Sequence, residues 1–337
     1  MPSPPHGPQL EKANKIRSEE TPMIIALEEH YFDADWNAQA DTPRHSPRPD
    51  TPFLRRLSDL GEQRIKEMDE AGIDLQVISH APPGAQGVKD ADSVSWARRT
   101  NDRLHAAIQQ HPSRFAGFAA VPTSDAVTGA DELERAVGSL GFKGGMINSL
   151  TEGPFLDDKR YWPIFERAQA LDVPIYLHPS DPNPAILSTY YKGYAETHPM
   201  FIRAGWGFMV ETGTQAMRLV LSGIFDAYPR LKIILGHLGE TIPYQIARID
   251  EALSRDTPMK NFREVFSEHF YVTTSGFFST PAMQCCIDEI GIDRVLFSVD
   301  WPYASNVAGV KWMKECAMTD SDKDKIFSGN AKRLLKL

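Results

Sequence analysis

From residue 23 onward the chain alternates short apolar runs with longer stretches in which apolar residues recur every three or four positions. The runs are Met23–Glu29, Leu75–His80, Phe115–Val121, Phe142–Asn148, Val173–His178, Leu231–His237, Phe270–Ser275 and Arg294–Asp300. Each has the length of a strand rather than a helix. Between them, Ala130, Leu133, Ala136, Val137 and Leu140 form one apolar stripe, and Ile242, Ile246, Ile249 and Leu253 form another. Residues Val94–Gln110 and Trp162–Leu171 also have helical spacing. Runs such as IILGH and VLFSVD are nearly continuous in apolar character, the pattern of parallel strands covered on both faces.

Eight such strands alternating with helices predict an α/β fold, a single-domain (β/α)₈ TIM barrel over residues 23–337. A doubly wound open sheet is the other arrangement the pattern allows. It is weakened by the lack of a GxGxxG after the first strand and of any GxxxxGK[ST]. Two segments exceed a minimal barrel: Phe32–Pro52 after strand one and Asp181–Gly205 after strand five. Both are expected as long loops at the C-terminal ends of strands, where lids, binding loops and subunit contacts occur. Residues 1–22, rich in proline and charge and lacking an apolar segment of the secretory type, are expected to form a flexible tail.

Composition narrows the function classes. Hydrophobic residues make up 42% of the chain and charged residues 24%, the balance of a globular protein with a sizeable core. With 36 Lys and Arg against 45 Asp and Glu, the net charge is −9, which gives no electrostatic reason to expect a nucleic-acid or anionic-membrane partner. No apolar run approaches the roughly 18 residues of a membrane span. Cys285, Cys286 and Cys316 cannot build a disulfide framework and fit a reducing compartment, so a cytoplasmic protein is expected.

The informative polar residues stand at strand ends. Strand one ends in Leu27-Glu28-Glu29-His30, strand five in His178-Pro179, strand six in His237-Leu238-Gly239-Glu240 and strand eight in Asp300-Trp301-Pro302. Glu28 and His30, two apart on a strand, point to the same side while Glu29 points away. A barrel gathers strand ends around one axis. Two carboxylates and two or three imidazoles buried there would cost several kcal/mol without a compensating charge, which a divalent cation supplies. Nitrogen and oxygen ligands without thiolate suit Zn²⁺ or Mn²⁺, with Mg²⁺ disfavoured by the imidazoles. His80, ending strand two, is a further candidate for the pocket; the other histidines fall in tails, loops or helix faces.

The runs ALEEH at 26–30, YLHP at 176–179, ILGHLGE at 234–240 and LFSVDWPY at 296–303 resemble the amidohydrolase superfamily. Within it they resemble the non-oxidative aromatic acid decarboxylases acting on γ-resorcylate, 2,3-dihydroxybenzoate or 5-carboxyvanillate. The likeness runs from about Met23 to the C-terminus and includes RIKEMDEAGID, SGIFDAYPRLK and SGNAKRLLKL. It implies a barrel of the metal-dependent hydrolase type with Glu28, His30, His178 and Asp300 as metal ligands. His237 is then a second catalytic residue held by Glu240, and Arg248, with Arg64, holds the acidic end of the substrate, Arg248 across a subunit boundary. Strand one lacks His-x-His, and the only lysine of strand four, Lys143, lies near its start, which argues for one metal ion.

The activity implied is reversible decarboxylation of an ortho-hydroxybenzoate such as 2,3-dihydroxybenzoate, 2,6-dihydroxybenzoate or salicylate, releasing the phenol and CO₂ with no organic cofactor. Asp300 is the candidate proton donor, His237 the relay, and His80, Trp206, Phe277 and Trp301 line the ring. Metal-dependent hydrolysis of a lactone or amide would use the same ligands. A catalytically silent scaffold would break at least one ligand position, and none is broken. The resemblance further implies a homodimer or homotetramer.

Overall fold

The computed structural model describes residues 22–39, 49–149, 155–255 and 261–337. The expected tail falls largely outside them, as does part of the first long loop. Among the described residues, nine parallel strands follow the sequence in order: β1 Ile25–Tyr31, β2 Leu75–His80, β3 Phe115–Gly117, β4 Ala119–Ala120, β5 Gly145–Asn148, β6 Ile175–His178, β7 Ile233–Leu235, β8 Phe270–Thr273 and β9 Val295–Leu296. β3 and β4 are two halves of one barrel strand. Phe118, between them, donates its N–H to Ile78 O at 2.9 Å, and Ala119 donates to Gly144 O at 2.9 Å. The ring closes where Leu27 N–H meets Phe297 O at 3.2 Å and Leu27 bridges Ser298. The result is the eight-stranded barrel expected from the pattern.

Alternation sorts each strand into two layers. Ile25, Leu27, Leu75, Val77, Phe118, Met146, Tyr176, Ile234, Tyr271 and Leu296 pack against one another inside the barrel. Ala331, Leu334 and Leu335, from the C-terminal helix Asn330–Leu335, close the N-terminal end of this layer. The intervening residues, among them Ala26, Ile78, Ile147, Leu177, Leu235 and Val272, face the surrounding helices. Burial on both faces is why these strands read as continuous apolar runs.

Helices Asp90–Gln110, Ala126–Leu140, Trp162–Leu171 and Ile242–Ser254 take the periodic stretches. Asp125 caps the second of these by accepting from Val127 and Thr128 N–H at 3.0 Å. Several strands are shorter than their apolar runs. Gly144, at φ 153°, precedes β5, and the last residues of the final run leave the ladder to form the site. The segment after the fifth barrel strand contains helix Pro184–Tyr190 before helix Gly207–Leu221 begins. Among the described residues, no helix is long and apolar enough to cross a membrane.

Candidate active site

At the C-terminal end of β1 the strand breaks its own alternation. Ile25 and Leu27 face inward, so strict alternation would send Glu29 into the barrel and turn Glu28 and His30 outward. The register against β2 slips between Ala26 and Glu29, and Glu28 sits at φ 53°. This bulge inserts one residue and reverses the phase. Glu28 and His30 now reach the axis together and Glu29 points away, which is the same-side relation expected from their spacing.

The other candidate ligands converge on them. An oxygen of Glu28 and ring nitrogens of His30 and His178 lie within 4.8 Å of one another, and all three residues are buried. His178 Nε2 is 3.3 Å from Glu28 Oε1, and His30 Nε2 is 3.3 Å from Asp300 Oδ1. His178 Nδ1–H donates to Pro179 O at 2.8 Å, leaving Nε2 as an acceptor aimed at the cluster. Ser79 Oγ holds His30 Nδ1 at 3.3 Å. Tyr176 donates its hydroxyl to Glu28 Oε2, and Thr273 Oγ1–H lies 3.2 Å from the same oxygen. Glu28 Oε1 has no hydrogen-bond partner although it is buried. Two carboxylates and two imidazoles converging around a buried, unsatisfied carboxylate oxygen are the donor set a divalent cation fits.

His237 and Glu240 form a dyad beside this cluster. His237 Nδ1–H donates to Glu240 Oε1 at 2.8 Å, and Nε2 points to Glu28 Oε1 at 3.8 Å. Burial alone would lower the His237 pKa, but the charges of Glu240 and Glu28 override it and push the imidazole up to about 10. Burial, reinforced by Glu28, pushes the Asp300 carboxyl up to about 8. Glu28 behaves oppositely: burial opposes its charge, yet His237, His178 and His30 hold its carboxyl well below the usual range. A divalent cation beside these groups adds positive charge that lowers the pKa of all of them.

Backbone strain concentrates here. Glu28, His237, Leu238, Glu240, Thr241 and Asp300 all have φ between 50° and 71°. Among the described residues only Asp172 and Lys336 share this conformation without being glycine. Each costs on the order of 1 kcal/mol and persists because the surroundings dictate it. Gly236 is required for a different reason: a Cβ there would stand 2.7 Å from Glu28 Oε2.

The remaining expected residues are placed as follows. Trp206 and Phe277 are half-exposed on the loops after the fifth and seventh barrel strands. A Cβ on Gly276, next to Phe277, would lie 3.2 Å from Asp300 Oδ2, so that loop borders the site. His80, on the outward side of β2, packs against Trp96 with ring centroids 4.9 Å apart. Its Nδ1–H donates to Ala81 O at 2.7 Å and its Nε2 accepts from Asp33 N–H at 3.1 Å, so both nitrogens are engaged behind the barrel wall. Trp301 and Arg64 are buried against each other, the guanidinium 4.0 Å above the indole. Arg64 donates to Asp59 O, Gln76 Oε1 and His30 O at 2.8, 3.1 and 2.5 Å, and burial pushes its pKa down to about 9. These three side chains support the site from outside rather than facing its opening. Arg248 is exposed on helix Ile242–Ser254.

Further side chains complete the wall. Ser79, Tyr176, Thr273 and Ser275 are inward-facing, and the two-residue spacing from Tyr176 to His178 could have marked Tyr176. Tyr303 meets the His30 ring edge-on at 5.8 Å and Phe53 at 5.2 Å, forming an aromatic rim.

Comparison with known proteins agrees with this architecture. The family model described as Amidohydrolase matches residues 50–337. The γ-resorcylate decarboxylase of Polaromonas sp. (strain JS666) is 41% identical over 327 residues, covering 93% of this chain and 98% of that protein. The crystal structure of a 2,6-dihydroxybenzoate decarboxylase complexed with 2,6-dihydroxybenzoate superposes with a TM-score of 0.85 at 34% identity, covering 94% of this chain and all of that one. A dihydroxybenzoic acid decarboxylase from Polaromonas sp. JS666, with bound manganese and 2-nitroresorcinol, gives 0.85 at 39% identity, covering 94% and 98%. With the barrel, the polar strand ends and a family match over most of its length, the chain belongs to the amidohydrolase family, among relatives that are decarboxylases.

Proposed function

We propose that this protein catalyses metal-dependent, non-oxidative decarboxylation of an ortho-hydroxybenzoate, with 2,6-dihydroxybenzoate the favoured substrate. The observation that carries the reading is the convergence of buried Glu28, His30 and His178, with ligand atoms within 4.8 Å of one another and Glu28 Oε1 lacking a hydrogen-bond partner, beside Asp300. Relatives acting on γ-resorcylate and 2,6-dihydroxybenzoate support the substrate class. 2,3-Dihydroxybenzoate and salicylate carry the same adjacent carboxylate and phenol.

Glu28, His30, His178 and Asp300 would hold one divalent ion, Mn²⁺ or Zn²⁺, and the manganese bound by a relative favours the first. When bound, such an ion neutralises the charge of the substrate's carboxylate and phenolate. Asp300, half-buried beside Glu28, carries the proton to the ring carbon bearing the carboxylate. The bond from that carbon to the carboxylate then breaks, its electron pair restores the aromatic ring, and CO₂ leaves. His237, oriented by Glu240, balances and resupplies the proton on Asp300. The half-exposed aromatics Trp206, Phe277 and Tyr303 shield the ring from water. Arg248, exposed in this chain, serves a neighbouring copy's substrate in a homodimer or homotetramer.

The test uses protein stripped of metal and reloaded with Mn²⁺, Zn²⁺ or Mg²⁺, followed by ultraviolet spectra with 2,6- and 2,3-dihydroxybenzoate, salicylate and 5-carboxyvanillate. Metal-dependent conversion of one acid to its phenol, lost in Asp300→Asn, is the expected result. Consumption of no acid with any metal, together with hydrolysis of a lactone or amide panel, overturns it in favour of a hydrolase.

A further inference from the structure

The bulge that brings Glu28 and His30 into the barrel sends Glu29 the other way, into the seam between β1 and the segment leaving β9. The ordinary ladder cannot continue there, because Glu28 and Asp300 both have positive φ. Leu27 N–H still reaches Phe297 O at 3.2 Å, Ser298 Oγ–H donates to Leu27 O, and His30 N–H reaches Trp301 O at 2.8 Å. The backbone N–H groups of Val299 and Trp301, on either side of Asp300, would otherwise be buried without a strand partner. They donate instead to the Glu29 carboxylate, Val299 to Oε1 at 2.8 Å and Trp301 to Oε2 at 3.0 Å.

A fully buried carboxylate is costly unless hydrogen-bonded on both oxygens, and this one is. Ser298 Oγ lies 3.4 Å from Oε1 and Gln76 Nε2 3.4 Å from Oε2, while the Gln76 amide oxygen accepts from Arg64. Arg64 in turn donates to the carbonyl of His30. The two ends of the seam, His30 and Asp300, are thus tied to one carboxylate and its immediate partners. The mechanism above gives Glu29 no task, and its neighbour Glu28 is the residue that faces the cluster.

We infer that Glu29 is a positioning residue: its carboxylate clamps the two N–H groups flanking Asp300, fixes that residue's left-handed backbone and so sets the Asp300 carboxylate 3.3 Å from His30 for metal binding. Both oxygens are needed. In Glu29→Gln the amide NH₂ faces one of the two N–H donors, so one bond becomes a repulsion at nearly unchanged volume. The inference rests on the proposed metal site but not on any particular substrate.

The experiment is a double-mutant cycle on Mn²⁺ affinity, read by titration calorimetry without substrate, over wild type, Glu29→Gln, Asp300→Asn and the double variant. Glu29→Gln is expected to weaken Mn²⁺ binding by about 10- to 100-fold. In the Asp300→Asn background it is expected to add almost nothing, because its effect passes through Asp300. A general loosening of the barrel would instead lower affinity by the same factor in both backgrounds, and that additive result overturns the inference. If Glu29→Gln does not fold, Glu29→Asp, which keeps the carboxyl group but is too short to span both donors, is carried through the same cycle. Wild-type protein that binds no divalent ion overturns the metal site and this inference together. Additive effects on a wild-type protein that does bind Mn²⁺ overturn the inference alone.

Discussion

One methyl group placed behind Glu28 tests whether that carboxylate must sit where it does. In Gly236→Ala the new Cβ would lie 2.7 Å from Glu28 Oε2, 3.1 Å from Oε1 and 3.1 Å from Ser275 Oγ, whereas ordinary contact begins at 3.4 Å. Something must therefore move by roughly 0.7 Å, the difference between these distances and beyond the ~0.5 Å that a preorganised site tolerates. A flexible glutamate would swing aside cheaply, but Glu28 is buried and held by Tyr176, Thr273 and His178. Gly236 has no positive φ, so alanine carries no backbone penalty there. The overpacking cost, about 1–3 kcal/mol, falls mainly on Glu28 and its hydrogen bonds. Mn²⁺ affinity is expected to fall by at least tenfold, with decarboxylation falling in parallel at fixed metal. Titration calorimetry of metal-free protein, with thermal unfolding as a check on folding, measures both. A folded Gly236→Ala protein that binds Mn²⁺ as wild type does would refute the assignment of Glu28 as a constrained ligand.

Three further predictions follow from the same geometry. Glu240→Gln removes one of the charges that hold the His237 imidazolium, so the His237 pKa should drop from its value of about 10; an NMR titration of the ring that shows no drop would contradict the dyad. Glu211 is buried, and burial pushes its carboxyl from 4.5 up to about 7, so the folded protein keeps a proton that the unfolded chain has lost between those values. Stability should therefore decline as pH rises through this window, by on the order of 3 kcal/mol in total; Glu211→Gln should flatten the decline in denaturant titrations, and an unchanged pH profile would refute it. Arg248→Ala, at an exposed helix position, should leave thermal stability within about 0.5 kcal/mol of wild type yet raise KM for the acid if a neighbouring copy uses it; unchanged KM would dismiss that role.

The barrel was legible because burial on both faces leaves a one-dimensional signature. Strands clothed by helices outside and by one another inside become uninterrupted apolar runs, and helices between them carry a 3.6-residue stripe. The candidate site was legible for a related reason: Glu28, His30, His178, His237 and Asp300 each interrupt such a run at its C-terminal end, where a barrel must gather them. The supporting residues were less visible. Ser79, Tyr176 and Thr273 are ordinary polar residues until strand pairing places them around Glu28 and His30. Arg64 and Trp301 carry side chains suited to substrate recognition, and only long-range packing stacks them together behind the site.

Spacing along the chain thus determined that Glu28 and His30 share a side, but not which side. With Ile25 and Leu27 inside, an unbroken strand would have turned both side chains outward and buried Glu29 in the barrel. The choice was made by the bulge against β2 and by the donors of Val299 and Trp301, residues some 270 positions away that give the displaced Glu29 carboxylate its partners. His80 met the opposite outcome: with no bulge on β2, regular alternation carried it outward to Asp33 and Trp96. Local sequence specifies a period of two; the phase of that period relative to the barrel axis is a property of the closed sheet, because only closure brings the competing hydrogen-bond partners within reach.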